Sequence, residues 1–136
     1  MHFSSSAVAF GWAGEGGIPP GRIAFTGSQR SSDRGSSDSS ENLIAAVHWA
    51  AYGPKVNGDL GDSTVVIMHD TTEDGTCAVF SGVGVRKMHT SKRDAFKPIN
   101  NKKLALIDIE RENVNIRIEG DWPATKRNMC KTPTYF

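Results

Sequence analysis

The alternation of apolar and polar residues along the chain predicts several short strands. The clearest case is a pair of segments, residues 104–110 and 114–119; in the second, apolar side chains recur at every second position. This period of two is typical of a strand with one buried face. Because only residues 111–113 separate the two segments, we predict that they form a β-hairpin.

A second hairpin is predicted around a polar loop at residues 70–75. Before the loop, residues 65–68 form a continuous apolar run, as expected for a central strand buried on both faces. After the loop, which closes with an Asp-Gly turn signal, apolar residues alternate from Cys77 onward. This pairing would bring His69 close to Cys77 on adjacent strands.

Two further segments of strand length lie near the N-terminus, at residues 7–12 and 22–26. We predict that they pair as a hairpin across a loop rich in glycine and proline. The following residues, 27–40, are mostly serine, glycine and charged groups with nothing to bury. Such a composition is typical of a linker.

One helix is predicted before the helix-stopping pair Gly53 and Pro54. Asp38 is a favourable N-cap residue, and Glu41 three residues later completes a capping box. Nine of the ten residues 43–52 are apolar, so they cover most of the helix circumference.

A helix that is apolar all round is buried on two sides or lies at an interface. We expect one stripe of this helix to pack on the sheet of its own domain: Leu43, Val47 and Ala50. We expect a second stripe to need another cover: Ala45, Trp49 and Tyr52. A chain of 136 residues has little left to supply that cover, which favours a protein partner.

These elements predict an α+β fold, mainly antiparallel β, with about six strands in a sandwich- or barrel-like arrangement and one short apolar helix. The length fits a single domain over residues 1–136. Residues 121–136 contain prolines and show no periodicity, so we predict extended arms at the termini, including this C-terminal one. The candidate interface residues are Trp49, Tyr52, Trp122, Tyr135 and Phe136.

The formal net charge of +1 hides an asymmetry, because residues 1–82 carry −5 and residues 83–136 carry +6. The most basic stretch, residues 86–103, is poor in apolar groups and predicts a long exposed connection. It is also a candidate for contact with a nucleic-acid backbone. The residues that would make this contact are Arg86, Lys87, Lys92, Arg93, Lys97, Lys102 and Lys103.

No motif for catalysis, metal binding or cofactor binding stands out. The glycines at 82 and 84 lack the third glycine of a dinucleotide site, and the acidic turns at 59–62 and 70–74 match no calcium loop. The expected Cys77–His69 pair is a weak candidate for nucleophilic catalysis, because a buried thiol is usually inert. We therefore predict no catalytic residue, no metal and no cofactor.

The location is predicted from the first residues and the cysteines. Residues 1–6 are mainly small and polar, unlike a signal peptide, and no apolar run approaches the roughly 20 residues of a membrane span. Cys77 and Cys130 are predicted to be free thiols in a reducing compartment. We expect a cytoplasmic protein, or one assembled into a particle, that binds no membrane.

The surplus apolar helix face, the charge asymmetry and the extended ends together favour a non-enzymatic structural or assembly protein. The prediction is a subunit of a larger complex, such as a virion or phage particle, whose partners are other protein subunits. One alternative is a nucleic-acid-binding or inhibitory accessory protein acting through residues 86–103. Another is a small hydrolase or nuclease that uses one of three histidines, with Lys87 holding a phosphate: His48, His69 or His89.

Overall fold

Seven strands and one helix form the described part of this protein in a computed structural model. The structure describes residues 23–33, 35, 37–54, 64–82, 85–90, 92–98, 103–111 and 113–119. The strands are β1 (Ile23–Phe25), β2 (Thr64–His69), β3 (Thr76–Ser81), β4 (Val85–Lys87), β5 (Phe96–Pro98), β6 (Ala105–Ile109) and β7 (Val114–Ile118). The helix, α1, spans Ser39–Tyr52.

Five strands form one mixed sheet in the order β1-β2-β3-β6-β7, and β4 and β5 form a small second sheet. Both hairpins predicted from the alternation are confirmed. In the first, His69 of β2 lies opposite Cys77 of β3, and in the second, Ile107 of β6 lies opposite Ile116 of β7. The predicted α+β class, mainly antiparallel, is also confirmed.

Strand β1 forms the one parallel pair of this sheet, with Ala24 opposite Val65 of β2. Parallel strands need a crossover connection, and α1 supplies it between β1 and β2. Residues 7–12, which were predicted to pair with this strand as a hairpin, lie outside the described residues.

The helix covers one face of the large sheet. Ala45, Ala46 and Trp49 pack against alternate residues of the central strands, among them Ile67 of β2 and Val79 of β3. Every residue of β2 is buried because the sheet is covered on both faces, as its continuous apolar run predicts.

The small sheet covers the opposite face. Val85 of β4 and Phe96 of β5 are buried against Val66, Met68 and Phe80 of the large sheet. The prediction of one long exposed connection over residues 86–103 is therefore wrong in this part. The buried side chains there are few and widely spaced, so no run of apolar residues signals the two strands.

The predicted faces of α1 are reversed. Leu43 and Val47, expected to pack on the sheet, are 58% and 61% exposed, whereas Trp49 is 1% exposed and lies in the core. Trp49 is therefore unavailable as the exposed interface residue that the sequence predicted. Composition cannot choose between two apolar stripes: the buried stripe combines Trp49 with two small alanines, which let the helix approach the sheet closely. Tyr52 is 74% exposed, and its role at an interface stays a prediction.

Other predicted features have a simpler outcome. No helix in the described ranges is long and apolar enough to cross a membrane. The C-terminal arm at residues 121–136, with Trp122, Tyr135 and Phe136, lies outside the described residues. The single domain over residues 1–136 and the linker role of residues 27–40 stay predictions.

Candidate functional site

A buried cluster of polar side chains lies where β2 ends, between the sheet and the first turn of α1. His69, the last residue of β2, is fully buried at its centre. Its Nδ1 lies 2.8 Å from Oδ1 of Asn42, and its Nε2 lies 2.7 Å from Oε2 of Glu41 and 2.8 Å from Nη2 of Arg93. Three separate segments therefore meet at one imidazole.

Asp38 supports this cluster from the N-terminus of α1. It is the N-cap residue, as predicted, but its carboxylate makes no capping bond to the helix. It instead accepts hydrogen bonds from Ser28 Oγ at 2.9 Å, from the Gln29 amide at 3.0 Å and from Asn42 Nδ2 at 3.0 Å. Burial acts to raise the pKa of Asp38, but the hydrogen bonds from the Gln29 amide, Ser28 and the Arg30 amide outweigh it, so the pKa lies below its ordinary value.

The predicted capping box does not form, because the Glu41 side chain points elsewhere. Its Oε2 accepts the backbone amide hydrogen of Gly75 at 3.0 Å, in the turn between β2 and β3. Gly75 has a φ of 96°, a left-handed conformation that glycine adopts without strain. Glu41 thus joins the first turn of α1 to the β2–β3 turn.

The hydrogen-bond pattern assigns the tautomer of His69. Asn42 Nδ2 donates to the Gly27 carbonyl and to Asp38, so Oδ1 of Asn42 faces the imidazole and accepts from Nδ1. Nε2 then accepts from Arg93. Burial and the neighbouring Arg93 charge lower the pKa of His69, so the ring is neutral at pH 7 and its contact with Glu41 is no ion pair.

Two side chains of this cluster, Glu41 and His69, and the neighbouring Asp74 of the β2–β3 turn have the chemistry of metal ligands. Ligand atoms of Glu41, His69 and Asp74 lie within 4.8 Å of one another. However, Nη2 of Arg93 lies 2.8 Å from His69 Nε2, 2.5 Å from Asp74 Oδ1 and 3.9 Å from Glu41 Oε2. The guanidinium of Arg93 therefore lies where a metal ion would have to bind, and we assign the positive charge of this site to Arg93.

Cys77 adjoins the cluster, as the hairpin register predicts. Its Sγ lies 4.0 Å from His69 Nδ1 and 3.5 Å from Asn42 Oδ1. Burial, followed by the negative charges of Glu41 and Asp38, raises the pKa of this free thiol to about 12. A thiol with so little thiolate character is not an activated nucleophile.

An open groove of about 600 Å³ runs along β4 and the residues that follow it, Val85 to Thr90. Arg86, Lys87 and His89 are exposed at this groove. Among the described residues, no ion pair involves Arg86 or Lys87. The groove is therefore a positively charged surface available to an anionic group.

The predicted basic residues do not form one continuous patch. Lys92 is exposed, whereas Arg93 is buried in the His69 cluster. Lys97 pairs with Asp94 at 3.7 Å, and Lys103 pairs with Asp70. Lys102 lies outside the described residues. Arg86 and Lys87 are the two predicted cations that line the groove.

Glu41, Asn42 and Arg93 were not predicted from the sequence as members of one cluster. The available signal was the polar character of Asn42 and His69 within or beside apolar runs, since buried polar groups need partners. The two residues of most contacts in this cluster are separated by 24 to 35 positions in the sequence, so a local pattern does not reveal them. His48, the remaining candidate on α1, packs beside Tyr52, and the centroids of the two rings are 5.0 Å apart.

Comparisons with known proteins give a consistent result. Residues 1–121 match the family model described as "Asparaginase, N-terminal". The chain is 44% identical over 108 residues to a glutamyl-tRNA(Gln) amidotransferase subunit of Thermofilum pendens, covering 79% of this chain and 22% of that protein. It is 40% identical over 119 residues to the corresponding amidotransferase subunit of Methanosarcina mazei, covering 88% of this chain and 25% of that protein.

A solved structure shares the fold. The thermostable L-asparaginase from Thermococcus kodakarensis superposes with a TM-score of 0.50 and 24% sequence identity, covering 75% of this chain and 27% of that one. This chain thus spans about a quarter of the length of the proteins it resembles.

These matches overturn the predicted virion or phage subunit. The relatives are named as subunits of an amidotransferase, and the family model is that of an asparaginase. The error has a physical origin: an apolar helix surface and unequal charge along a chain also arise where a domain packs against another part of its own protein. With a family match over residues 1–121, this chain belongs to the asparaginase family and contains sequence of its N-terminal domain.

Proposed function

We propose that this chain contributes to the hydrolysis of a side-chain amide in an amidotransferase subunit of the asparaginase family. The observation that carries the proposal is the 44% identity with the Thermofilum pendens amidotransferase subunit over 108 residues. The reaction converts the amide of glutamine or asparagine and water into a carboxylate and ammonia. In an amidotransferase, that ammonia would then supply the new amide on glutamyl-tRNA(Gln).

The groove along Val85 to Thr90 supports this substrate class. Free glutamine and asparagine carry an α-carboxylate, and Arg86 and Lys87 present two cations that no carboxylate of the described residues neutralises. These amino acids are zwitterions without net charge, so positive charge in the groove would bind and orient the α-carboxylate through charge-assisted hydrogen bonds. It also stabilises the negative oxygen that forms when the amide carbonyl is attacked.

The His69 cluster serves this groove as support rather than as catalyst. His69 is fully buried, and the pKa of Cys77 is raised to about 12, so neither meets a substrate as an activated group. The cluster instead fixes where α1, the β2–β3 turn and the segment before β5 lie relative to one another.

The proposed partners follow from the names of the relatives. A subunit works with other subunits, so we propose a protein partner that receives the ammonia and carries out amide formation on the tRNA-bound glutamate. The proposed location is the cytoplasm, as the tRNA in the names of those relatives suggests.

A chimera tests the proposed function. The segment of the Thermofilum pendens amidotransferase subunit that matches this chain is replaced by the corresponding residues of this chain, and ammonia release from L-glutamine and L-asparagine is measured. We expect kcat/KM within about tenfold of the parent protein, because the two segments are 44% identical over 108 residues. The control is the parent with the matched segment deleted, which should release no ammonia. A folded chimera without ammonia release would contradict the proposal.

A further inference from the structure

Arg93 is buried and contacts several residues that are distant from it in the sequence. Its Nη1 donates to the Thr72 carbonyl at 3.1 Å, and its Nη2 contacts His69 Nε2 at 2.8 Å and Asp74 Oδ1 at 2.5 Å. Its side chain is 6% exposed. A guanidinium presents its donors in a rigid fork, so it holds several acceptors in one geometry.

All of these partners lie outside the segment that carries Arg93. Thr72 and Asp74 belong to the β2–β3 turn, and His69 is the end of β2. Arg93 itself lies in the connection between β4 and β5. Its side chain therefore fastens that connection to the end of the large sheet.

A backbone hydrogen bond links the part of the connection near Arg93 to the residues that line the groove. The Met88 amide donates to the Ala95 carbonyl at 2.7 Å, which extends the β4–β5 pairing beyond the opposed residues Lys87 and Phe96. Ala95 is two residues after Arg93. A shift of Arg93 would thus move Met88 and Lys87, which both line the groove.

The small sheet depends on such attachments, because it contains three opposed pairs of residues. A two-stranded sheet of this size is marginally stable in water by itself. Val85, Ala95 and Phe96 hold its apolar side against the large sheet, and Ala95 is the one described residue of the β4–β5 connection in this cluster. Arg93 supplies a second, polar restraint two residues earlier in the chain.

We propose that Arg93 is a positioning residue, which fixes the β4–β5 connection on the β2–β3 turn and thereby sets the places of Arg86 and Lys87 in the groove. The inference rests on the proposed function only for the identity of the groove's ligand, an amino acid with a side-chain amide. The restraint itself is a property of this chain and can be measured without any substrate.

Amide hydrogen exchange on the full chain tests the restraint. Arg93→Gln removes the charge and the fork, and we expect exchange in the peptide covering residues 85–98 to accelerate at least tenfold. Exchange in β2 and β3 should stay unchanged. The matched control is Arg117→Gln, which removes another arginine, one that pairs with Asp108 at the exposed surface of β7. This control should leave residues 85–98 as in the unaltered chain.

A second variant guards against a failure of Arg93→Gln to fold. Asp74 is largely exposed, so Asp74→Ala removes one partner of Arg93 while leaving the core intact, and a smaller acceleration confined to residues 85–98 is expected. Unchanged exchange in that segment in both variants, or equal acceleration throughout the sheet, would overturn the restraint.

The role in the reaction is tested in the chimera. Arg93→Gln should lower kcat/KM for L-glutamine by at least tenfold, and Arg93→Lys, which keeps the charge but loses the fork, should recover part of the loss. An active chimera in which Arg93→Gln has no effect would overturn the positioning role. An inactive chimera would count against the proposed function alone, since the exchange result is independent of activity.

Discussion

His69 meets two opposite demands at one ring nitrogen. Nε2 lies 2.8 Å from a guanidinium nitrogen of Arg93, which needs an acceptor, and 2.7 Å from a carboxylate oxygen of Glu41, which needs a donor. The neutral ring satisfies Arg93, and a protonated ring would satisfy Glu41. Burial and the Arg93 charge decide for the neutral form by lowering the pKa. The arrangement makes the stability of the fold sensitive to one proton.

The stability of the chain should therefore decrease as the pH falls below about 6.5, the ordinary pKa of histidine. The folded pKa lies below that value, so the unfolded chain binds the proton first, and stability present above pH 6.5 is lost as the pH falls through the folded pKa. The slope should reach at most about 1.4 kcal/mol per pH unit for one proton. Urea unfolding followed by circular dichroism between pH 5 and pH 8 measures it.

Two variants separate this effect from other titrations. His69→Asn should flatten the profile in that window, whereas His89→Gln, at an exposed histidine, should leave it unchanged. The lowered pKa of Asp38 affects stability only as the pH falls towards and below 3.8, the ordinary pKa of this group, which is outside the range measured here. A profile that is flat in the unaltered chain would contradict the assignment of a neutral buried His69.

Cys77 should resist thiol reagents while the chain is folded. Its pKa of about 12 leaves almost no thiolate at pH 8, and its burial blocks access. In a Cys130→Ser background, we expect labelling by a disulfide reagent to be slow in buffer and fast in denaturant. Rapid labelling in buffer, at a rate similar to that of the denatured chain, would show that the thiol is accessible.

At the scale of elements, the helix shows how packing chooses among apolar residues. Asn42, Ala45, Ala46 and Trp49 form the buried stripe, and small alanines let the helix approach the sheet closely. The exposed stripe contains Leu43, Ile44 and Val47. Because both stripes are apolar, the side that packs is decided by shape and by the polar bonds of Asn42.

Substitutions on the two stripes should have very different effects on stability. Trp49→Ala removes a fully buried indole, and we expect a loss of about 3–5 kcal/mol in the free energy of unfolding. Val47→Ala, at an exposed position on the same helix, should change it by less than about 0.5 kcal/mol. Chemical denaturation of both variants is the measurement. Equal effects would contradict the packing of α1.

The elements also show what a sequence pattern can predict. The β2–β3 and β6–β7 hairpins follow from local alternation and short turns, and both were predicted correctly. The parallel pairing of β1 with β2 spans a whole helix, and the β4–β5 sheet depends on buried residues such as Val85 and Phe96 scattered among charged ones. The His69 cluster was missed for the same reason, because Arg93 joins it from 24 residues away.

At the scale of the whole molecule, the large sheet is a middle layer between α1 and the small sheet. The polar cluster lies where these layers meet at the end of β2, and the charged groove lies on the small sheet. The chain spans 22–25% of the length of its amidotransferase relatives from Thermofilum pendens and Methanosarcina mazei, so its groove is proposed as one part of a larger reaction centre. The central claim is that the cations of this groove act in amide hydrolysis.

The most direct test of that claim is kcat/KM for L-glutamine in the chimera with Lys87→Ala, compared with Lys92→Ala. Both lysines are exposed and five residues apart, but Lys87 lines the groove and Lys92 does not. We predict that Lys87→Ala lowers kcat/KM by about 100-fold, the scale of losing one group that stabilises developing charge. Lys92→Ala should leave kcat/KM within about twofold. Equal rates for the two variants would contradict the account.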